Sequence, residues 1–108
     1  MMELGLQGKA ALVTGGSKGI GFATALLLAK EGVHVGILAR GGEQLRAAAE
    51  RITERTGAEV MIIEGDVTKE EDCKRAVTSV YEAYGRFDIL VNNAGTSAGH
   101  PFEHVETE

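Results

Sequence analysis

An α/β fold built on a doubly wound parallel sheet is predicted by three features of this 108-residue chain. Short, nearly unbroken apolar runs recur at residues 10–14, 33–39, 60–63 and 89–91. Longer stretches with apolar residues at helical spacing lie between them, and glycines stand where those stretches end. A strand that reads as one continuous apolar run is covered on both faces, which is the condition of a parallel sheet between helical layers. Strict alternation of strand and helix then implies right-handed crossover connections.

The elements follow in order. Ala10-Ala11-Leu12-Val13-Thr14 forms the first strand, and Ile20, Ala23, Thr24, Leu27 and Leu28 mark the inner stripe of the first helix, with Gly32 at its C-terminal cap. Residues 33–39 give the second strand; Leu45, Ala48, Ala49 and Ile52 give the second helix, closed by Gly57. Residues 60–63 give the third strand. Thr68 and Glu71 have capping-box spacing and are expected to open a third helix, with Cys73, Ala76, Val77, Val80 and Tyr84 facing inward and Gly85 ending it. Ile89-Leu90-Val91 is the fourth strand, followed by Asn92-Asn93-Ala94-Gly95.

If the first three strands step one way across the sheet and the fourth reverses direction, the order is 3-2-1-4. Two helices then cover one face and the third covers the other, with a crevice between strands 1 and 4. In this arrangement the fourth strand is a bare, β-branched edge that invites pairing with another chain. The residues up to Glu108 read as the start of a further helix. The expectation is one domain over residues 1–108, either part of a longer chain or a homo-oligomer.

Composition narrows the function classes. An apolar content of 44% and a charged content of 25% are those of an ordinary globular domain. A net charge of −5, with no block of Lys or Arg, argues against a nucleic-acid or membrane surface. No apolar run approaches the length that spans a bilayer, and Met1-Met2-Glu3-Leu4-Gly5 has no signal-peptide character. Cys73 has no second cysteine to pair with, so a reducing, cytoplasmic setting is expected.

The chemistry gathers at Leu12-Val13-Thr14-Gly15-Gly16-Ser17-Lys18-Gly19-Ile20-Gly21. A helix that starts directly after a buried strand directs its free N–H groups and positive dipole end into the crevice above the sheet, where an anionic phosphate fits. Gly15 and Gly16 permit a tight turn, and Gly19 and Gly21 permit close approach of a ligand and of the neighbouring strand. The mononucleotide P-loop does not fit, because Lys18 precedes Gly19 and no Gly-Lys-Ser/Thr follows. Set within strand, turn and helix, the pattern points to dinucleotide binding.

Thr14-Gly15-Gly16-Ser17-Lys18-Gly19-Ile20-Gly21 resembles the TGxxxGxG signature of the classical short-chain dehydrogenase/reductases, including the 3-oxoacyl-carrier-protein reductases. Asp66-Val67 and Asn92-Asn93-Ala94-Gly95 match two further motifs of that family in the expected order. The resemblance implies a Rossmann-type doubly wound sheet, here incomplete relative to the full family fold. It implies that Asp66 hydrogen-bonds the adenine amino group with Val67 beside the ring, and that Asn93, Ala94 and Gly95 line the ribose region. It also implies that the Asn pair ties neighbouring strands together. On the residues alone, Asp66, Asn92 and Asn93 equally suit turn positions.

NAD-dependent folds of this type carry an acidic residue at the end of the second strand, on the ribose 2′-hydroxyl. Here that position is Ala39, followed by Arg40. A guanidinium grips a 2′-phosphate through paired charge-assisted bonds. Lys18 is the other basic position that the resemblance assigns to NADP binding, and Ser17 adds a hydroxyl. NADP(H) is therefore expected ahead of NAD(H).

The family's reaction needs a Tyr with a Lys four residues later, together with a Ser. Tyr81 is followed at that spacing by Gly85, Tyr84 by Asp88, and no Lys occurs after Lys74. No catalytic residue is therefore assigned, and the catalytic half is expected to be absent from these residues. His100 and His104 share helical spacing but have no third ligand nearby, so no metal site is expected. Two readings remain open: the cofactor-binding part of an oxidoreductase acting on carbonyl/alcohol pairs, or a non-catalytic NADP(H)-sensing or interaction module. A receiver-like domain is weaker, because the first strand ends in Thr14-Gly15-Gly16 rather than an acidic cluster.

Overall fold

A computed structural model of the chain describes residues 5–15, 17, 19–93 and 105–107. The strands are β1 (Ala10–Thr14), β2 (His34–Ala39), β3 (Met61–Glu64), β4 (Ile89–Asn92) and β5 (Val105–Thr107). The helices are α1 (Gly19–Lys30), α2 (Gly42–Thr56) and α3 (Glu70–Tyr84). The sheet order is β3-β2-β1-β4-β5, with the first four strands parallel. This is the predicted 3-2-1-4 Rossmann-type arrangement with one strand added.

Pleating sorts the side chains of each strand between two cores, because successive residues face opposite sides. Ala11, Val13, Val35, Ile37, Ile89 and Val91 pack under α1 and α2, against Ala25, Ala29, Leu45, Ala48 and Ile52. Ala10, Leu12, Leu38 and Ile63 pack on the opposite face, against Ala76 and Val80 of α3. Two helices on one face and one on the other is the distribution expected from the reversal after β3. Gly57 and Gly85 close α2 and α3 in the left-handed conformation, at φ 79° and 77°, each returning its N–H to a carbonyl of the last turn.

Three expectations are corrected. Helix α1 does not bury the stripe of Ile20, Ala23, Thr24, Leu27 and Leu28; it buries Gly21, Ala25 and Ala29, leaving Ile20 75% and Leu27 57% exposed. This helix has no charged residue before Lys30, so its apolar pattern names no face, and the small residues win because they let it approach the sheet closely. The capping box also fails. Thr68 Oγ1 donates to Asp66 Oδ1 at 2.6 Å, and α3 starts after Lys69 with no side-chain cap. The acidic first turn of Glu70, Glu71 and Asp72 instead faces the positive end of the helix dipole.

The third correction concerns the sheet edge. β4 is not bare: Val105–Thr107 pairs antiparallel with it, Val91 opposite Val105 and Ile89 opposite Thr107. An open strand edge presents unpaired N–H and C=O groups, and a segment with β-branched Val105 and Thr107 satisfies them as a strand rather than beginning a helix. His100 and His104 lie outside the described residues.

One buried carboxylate fastens the bottom of the sheet. Asp88, directly before β4, accepts the Ala10 N–H at 2.8 Å, while its own N–H donates to the Ala10 carbonyl at 2.9 Å. Arg86 grips the same carboxylate with Nε at 2.7 Å and Nη2 at 3.1 Å.

Candidate functional site

The C-terminal ends of β1, β2, β3 and β4 come together along one rim of the sheet, and the residues singled out from the sequence gather there. Gly15 turns the chain out of β1 at φ 70°, and its N–H is tied to the Leu38 carbonyl at 2.8 Å. Ser17 follows, half-buried, while Lys18 lies outside the described residues. Gly19 is the first residue of α1 with φ 63°, and a Cβ built on it would meet no atom within 4 Å. Ile20, the second residue of α1, projects into solvent, and Gly21 is buried against the sheet. The Ile20 side chain is 75% exposed at the mouth of the glycine turn.

Between β1 and β4 the structure joins two motifs through one hydroxyl. Thr14 Oγ1 donates to Asn92 Oδ1 at 3.1 Å, with the Val91 carbonyl farther away at 3.4 Å, and accepts the Asn93 N–H at 3.0 Å. The Asn pair therefore ties the adjacent strands, as the resemblance implied. Asn93 Nδ2 is buried yet has no hydrogen-bond partner among the described residues. An orphaned donor of this kind is costly unless a ligand or water satisfies it. Ala94 and Gly95 lie outside the described residues.

Across the rim, Arg40 follows β2 with its side chain 76% exposed, and its Nη1 stands 3.9 Å from Asp66 Oδ2. At that length and exposure the pair holds the guanidinium only weakly. Asp66 is better organised: its Oδ1 accepts from the Thr68 N–H at 2.9 Å and the Thr68 hydroxyl, and its own N–H donates to Asp72 Oδ2 at 2.7 Å. The Thr68 bonds, with a smaller contribution from Arg40, hold the Asp66 carboxyl below its ordinary range. It is therefore an anion at neutral pH, able to accept a hydrogen bond from a ligand. Val67 is half-buried and packs toward the α3-side core.

Cys73 does not belong to this chemistry. Its thiol donates to the Val67 carbonyl at 3.4 Å, and burial raises its pKa, so it stays protonated and unreactive. Among the described residues no cluster of His, Cys, Asp and Glu could hold a metal ion, and no helix is long and apolar enough to cross a membrane.

The site residues that sequence reasoning missed are supporting ones. Thr14 ends the first strand and opens the glycine signature, but nothing local marks its hydroxyl as the link to residues 78 and 79 positions away. Asp72, one of three acids in the first turn of α3, carries no motif in the sequence yet accepts the Asp66 N–H. Glu64 carried no motif, yet its carboxylate oxygens lie 3.0 and 3.1 Å from where a Cβ on Gly42 would stand, at the start of α2.

A turn of open glycine backbone at a helix N-terminus, a buried amide donor without a partner among the described residues and an exposed Arg40 beside Asp66 suit an extended, anionic ligand. These features place the chain among proteins that bind dinucleotides at the C-terminal rim of a parallel sheet. Comparison with known proteins agrees: the short chain dehydrogenase model matches residues 9–108, and the chain belongs to that family. It is 44% identical over 101 residues to glucose 1-dehydrogenase of Gluconobacter oxydans (strain 621H), covering 94% of this chain and 38% of that protein.

Among solved structures it resembles L-sorbose reductase from Gluconobacter frateurii complexed with NADPH and L-sorbose. The TM-score is 0.82 at 44% identity, over 88% of this chain and 36% of that one. It also resembles an NAD+-bound xylitol dehydrogenase, with a TM-score of 0.77 at 42% identity, over 83% of this chain and 34% of that one. The chain thus spans well under half the length of the proteins it matches.

Proposed function

We propose that this chain is the NADP(H)-binding part of a short-chain oxidoreductase that transfers hydride between nicotinamide and a carbonyl/alcohol substrate. The observation that carries the reading is the rim itself: the open Gly19 backbone and exposed Ile20 follow the end of β1, and the Asn93 amide, without a partner among the described residues, follows the end of the adjacent β4. Bound there, the dinucleotide supplies a hydride donor or acceptor at C4 of its nicotinamide ring. The chain's own residues bind and orient it. Gly15, Ser17, Gly19 and Gly21 shape the turn that receives the pyrophosphate, with Lys18 as a nearby cation. Asp66 accepts from the adenine amino group, Val67 flanks the ring, and Asn93, Ala94 and Gly95 line the ribose. Ile20 offers an apolar surface toward the nicotinamide end.

Preference for NADP(H) rests on Arg40 and Lys18. A hydrogen bond to a charged group is worth about 1.5–3 kcal/mol, or roughly tenfold to a hundredfold in affinity. Titration of the chain with NADPH and NADH tests the reading; at least about tenfold tighter NADPH binding is expected on that arithmetic. Equal affinities would refute the preference. Chemistry on a carbonyl belongs to the longer protein, and the cytoplasm is the compartment that suits a free thiol such as Cys73.

A second reading, a non-catalytic NADP(H)-sensing or interaction module, is favoured by the absence of any Tyr-x-x-x-Lys from the sequence. The two diverge on one observation: NADPH consumption by the intact polypeptide with a ketose or other ketone supports the enzyme.

A further inference from the structure

We propose that Glu64 is a specificity-determining residue of the coenzyme site, setting this chain's tolerance for a 2′-phosphate from the end of β3. The inference rests on the dinucleotide-binding reading above and concerns which coenzyme that site accepts. In folds of this type the 2′-substituent of the adenosine ribose is read at the end of the second strand, where an acid selects the hydroxyl. Here that position is Ala39, which is 8% exposed and offers no polar group.

The register supplies a substitute. Glu64, the last residue of β3, is the direct pairing partner of Ala39, the last residue of β2. Its side chain is exposed and leans across the end of β2 onto Gly42, the first residue of α2. Both carboxylate oxygens stand 3.0–3.1 Å from where a Cβ on Gly42 would be, so they lie against the Gly42 backbone. A Cβ at position 42 would crowd them. The acid missing from β2 is thus delivered to the same rim position from β3.

Among the described residues no cation pairs with it. The ion pairs among the described residues join Arg40 to Asp66, Lys74 to Glu70, Arg75 to Asp72 and Arg86 to Asp88; none includes Glu64. Arg75 Nη2 reaches only the Glu64 main-chain carbonyl, at 3.3 Å. Among the described residues, an anion arriving between Arg40 and the start of α2 therefore meets the Arg40 cation, its weakly held partner Asp66 and the unpaired Glu64 carboxylate. Arg40 draws a 2′-phosphate in and Glu64 repels it, while the neutral 2′-hydroxyl of NADH feels little of either.

The test is the affinity of the chain and of its Glu64→Gln variant for NADPH and for NADH, at low salt and near 1 M salt. The expected result is a gain of about three- to tenfold for NADPH at low salt, with NADH changed less than about twofold, as for unit charges roughly 3–6 Å apart in a water-like dielectric. The gain should shrink at 1 M salt, where the screening length falls to about 3 Å. A structural role for Glu64 would instead move both coenzymes together and survive salt. An unchanged or lowered NADPH-to-NADH affinity ratio overturns the proposal even when both coenzymes bind. Failure of both proteins to bind either coenzyme overturns the dinucleotide reading itself, and the inference with it.

Discussion

Replacing Asp88 with alanine removes the one carboxylate that fastens β4 to the start of β1. Two costs compete for importance. The buried Ala10 N–H loses its acceptor at 2.8 Å, and Arg86 loses a two-point grip at 2.7 and 3.1 Å. A hydrogen bond to a charged acceptor contributes about 1.5–3 kcal/mol, and a stranded buried donor costs a similar amount. The Arg86 side chain is about half exposed, so the ion pair adds about 1 kcal/mol or less. The Ala10 bond should dominate, giving Asp88→Ala a cost of about 2–3 kcal/mol and Arg86→Ala about 1 kcal/mol or less. For a domain of this size, 2–3 kcal/mol lowers Tm by roughly 10 °C or more.

The same site fixes a pH dependence. The Arg86 hydrogen bonds, supported by the Ala10 N–H, hold the Asp88 carboxyl below its ordinary value. A group whose pKa is depressed on folding stabilises the fold above its unfolded pKa, about 3.9 for Asp, and that contribution is lost as pH falls through the lower folded value. Urea unfolding of wild type, Asp88→Ala and Arg86→Ala at pH 7 and across pH 5 to 2 reads all of this. The gap between wild type and Asp88→Ala should be full at pH 7 and narrow below about pH 4. An Asp88→Ala cost no greater than that of Arg86→Ala, or a gap unchanged by acid, would refute the reasoning.

Other substitutions separate structure from binding. Gly36→Ala places a Cβ 2.9 Å from Val80 Cγ2, overpacking β2 against α3, and should cost about 1–3 kcal/mol in urea unfolding with α3 the first element to lose protection. Thr14→Val removes the hydroxyl that serves both Asn92 and Asn93, so a loss of about 1–2 kcal/mol is expected, accompanied by weaker NADPH binding. Ile20→Ser should leave stability within about 0.5 kcal/mol, because the side chain is exposed, yet weaken coenzyme binding measured by calorimetry. Arg40→Gln should bring NADPH affinity down by about tenfold or more while sparing NADH.

The parts of this molecule legible in the sequence are those governed by local pattern. Continuous apolar runs gave β1 to β4, glycines at 57 and 85 gave the helix ends, and the reversal after the third strand gave the sheet order. Helix α1 was not legible in its facing, because a segment apolar on all sides has no periodic signal and its orientation is decided by how closely Gly21, Ala25 and Ala29 let it approach the sheet. The start of α3 was misread because Thr68 has a nearer acceptor in Asp66 than the helix offers it. Strand β5 was missed because its partner is a sheet edge, a feature of the assembled fold and not of residues 105–107 themselves.

The site divides in the same way. The glycine turn and the Asn pair declare themselves by motif. The Arg40–Asp66 contact joins residues 26 positions apart, and Glu64 reaches the rim only through the register of β3 on β2. Such relations exist once strands are paired, and no window of sequence contains them.

Amide NMR reads directly where a coenzyme docks on this chain. On adding NADPH to isotopically labelled chain, the amides of Gly15, Ser17, Gly19, Arg40, Asp66 and Asn93 should shift together and saturate at one affinity, while those of the β1 start and the α2 C-terminus stay still. A spectrum that does not change, or changes centred away from that rim, would contradict docking there.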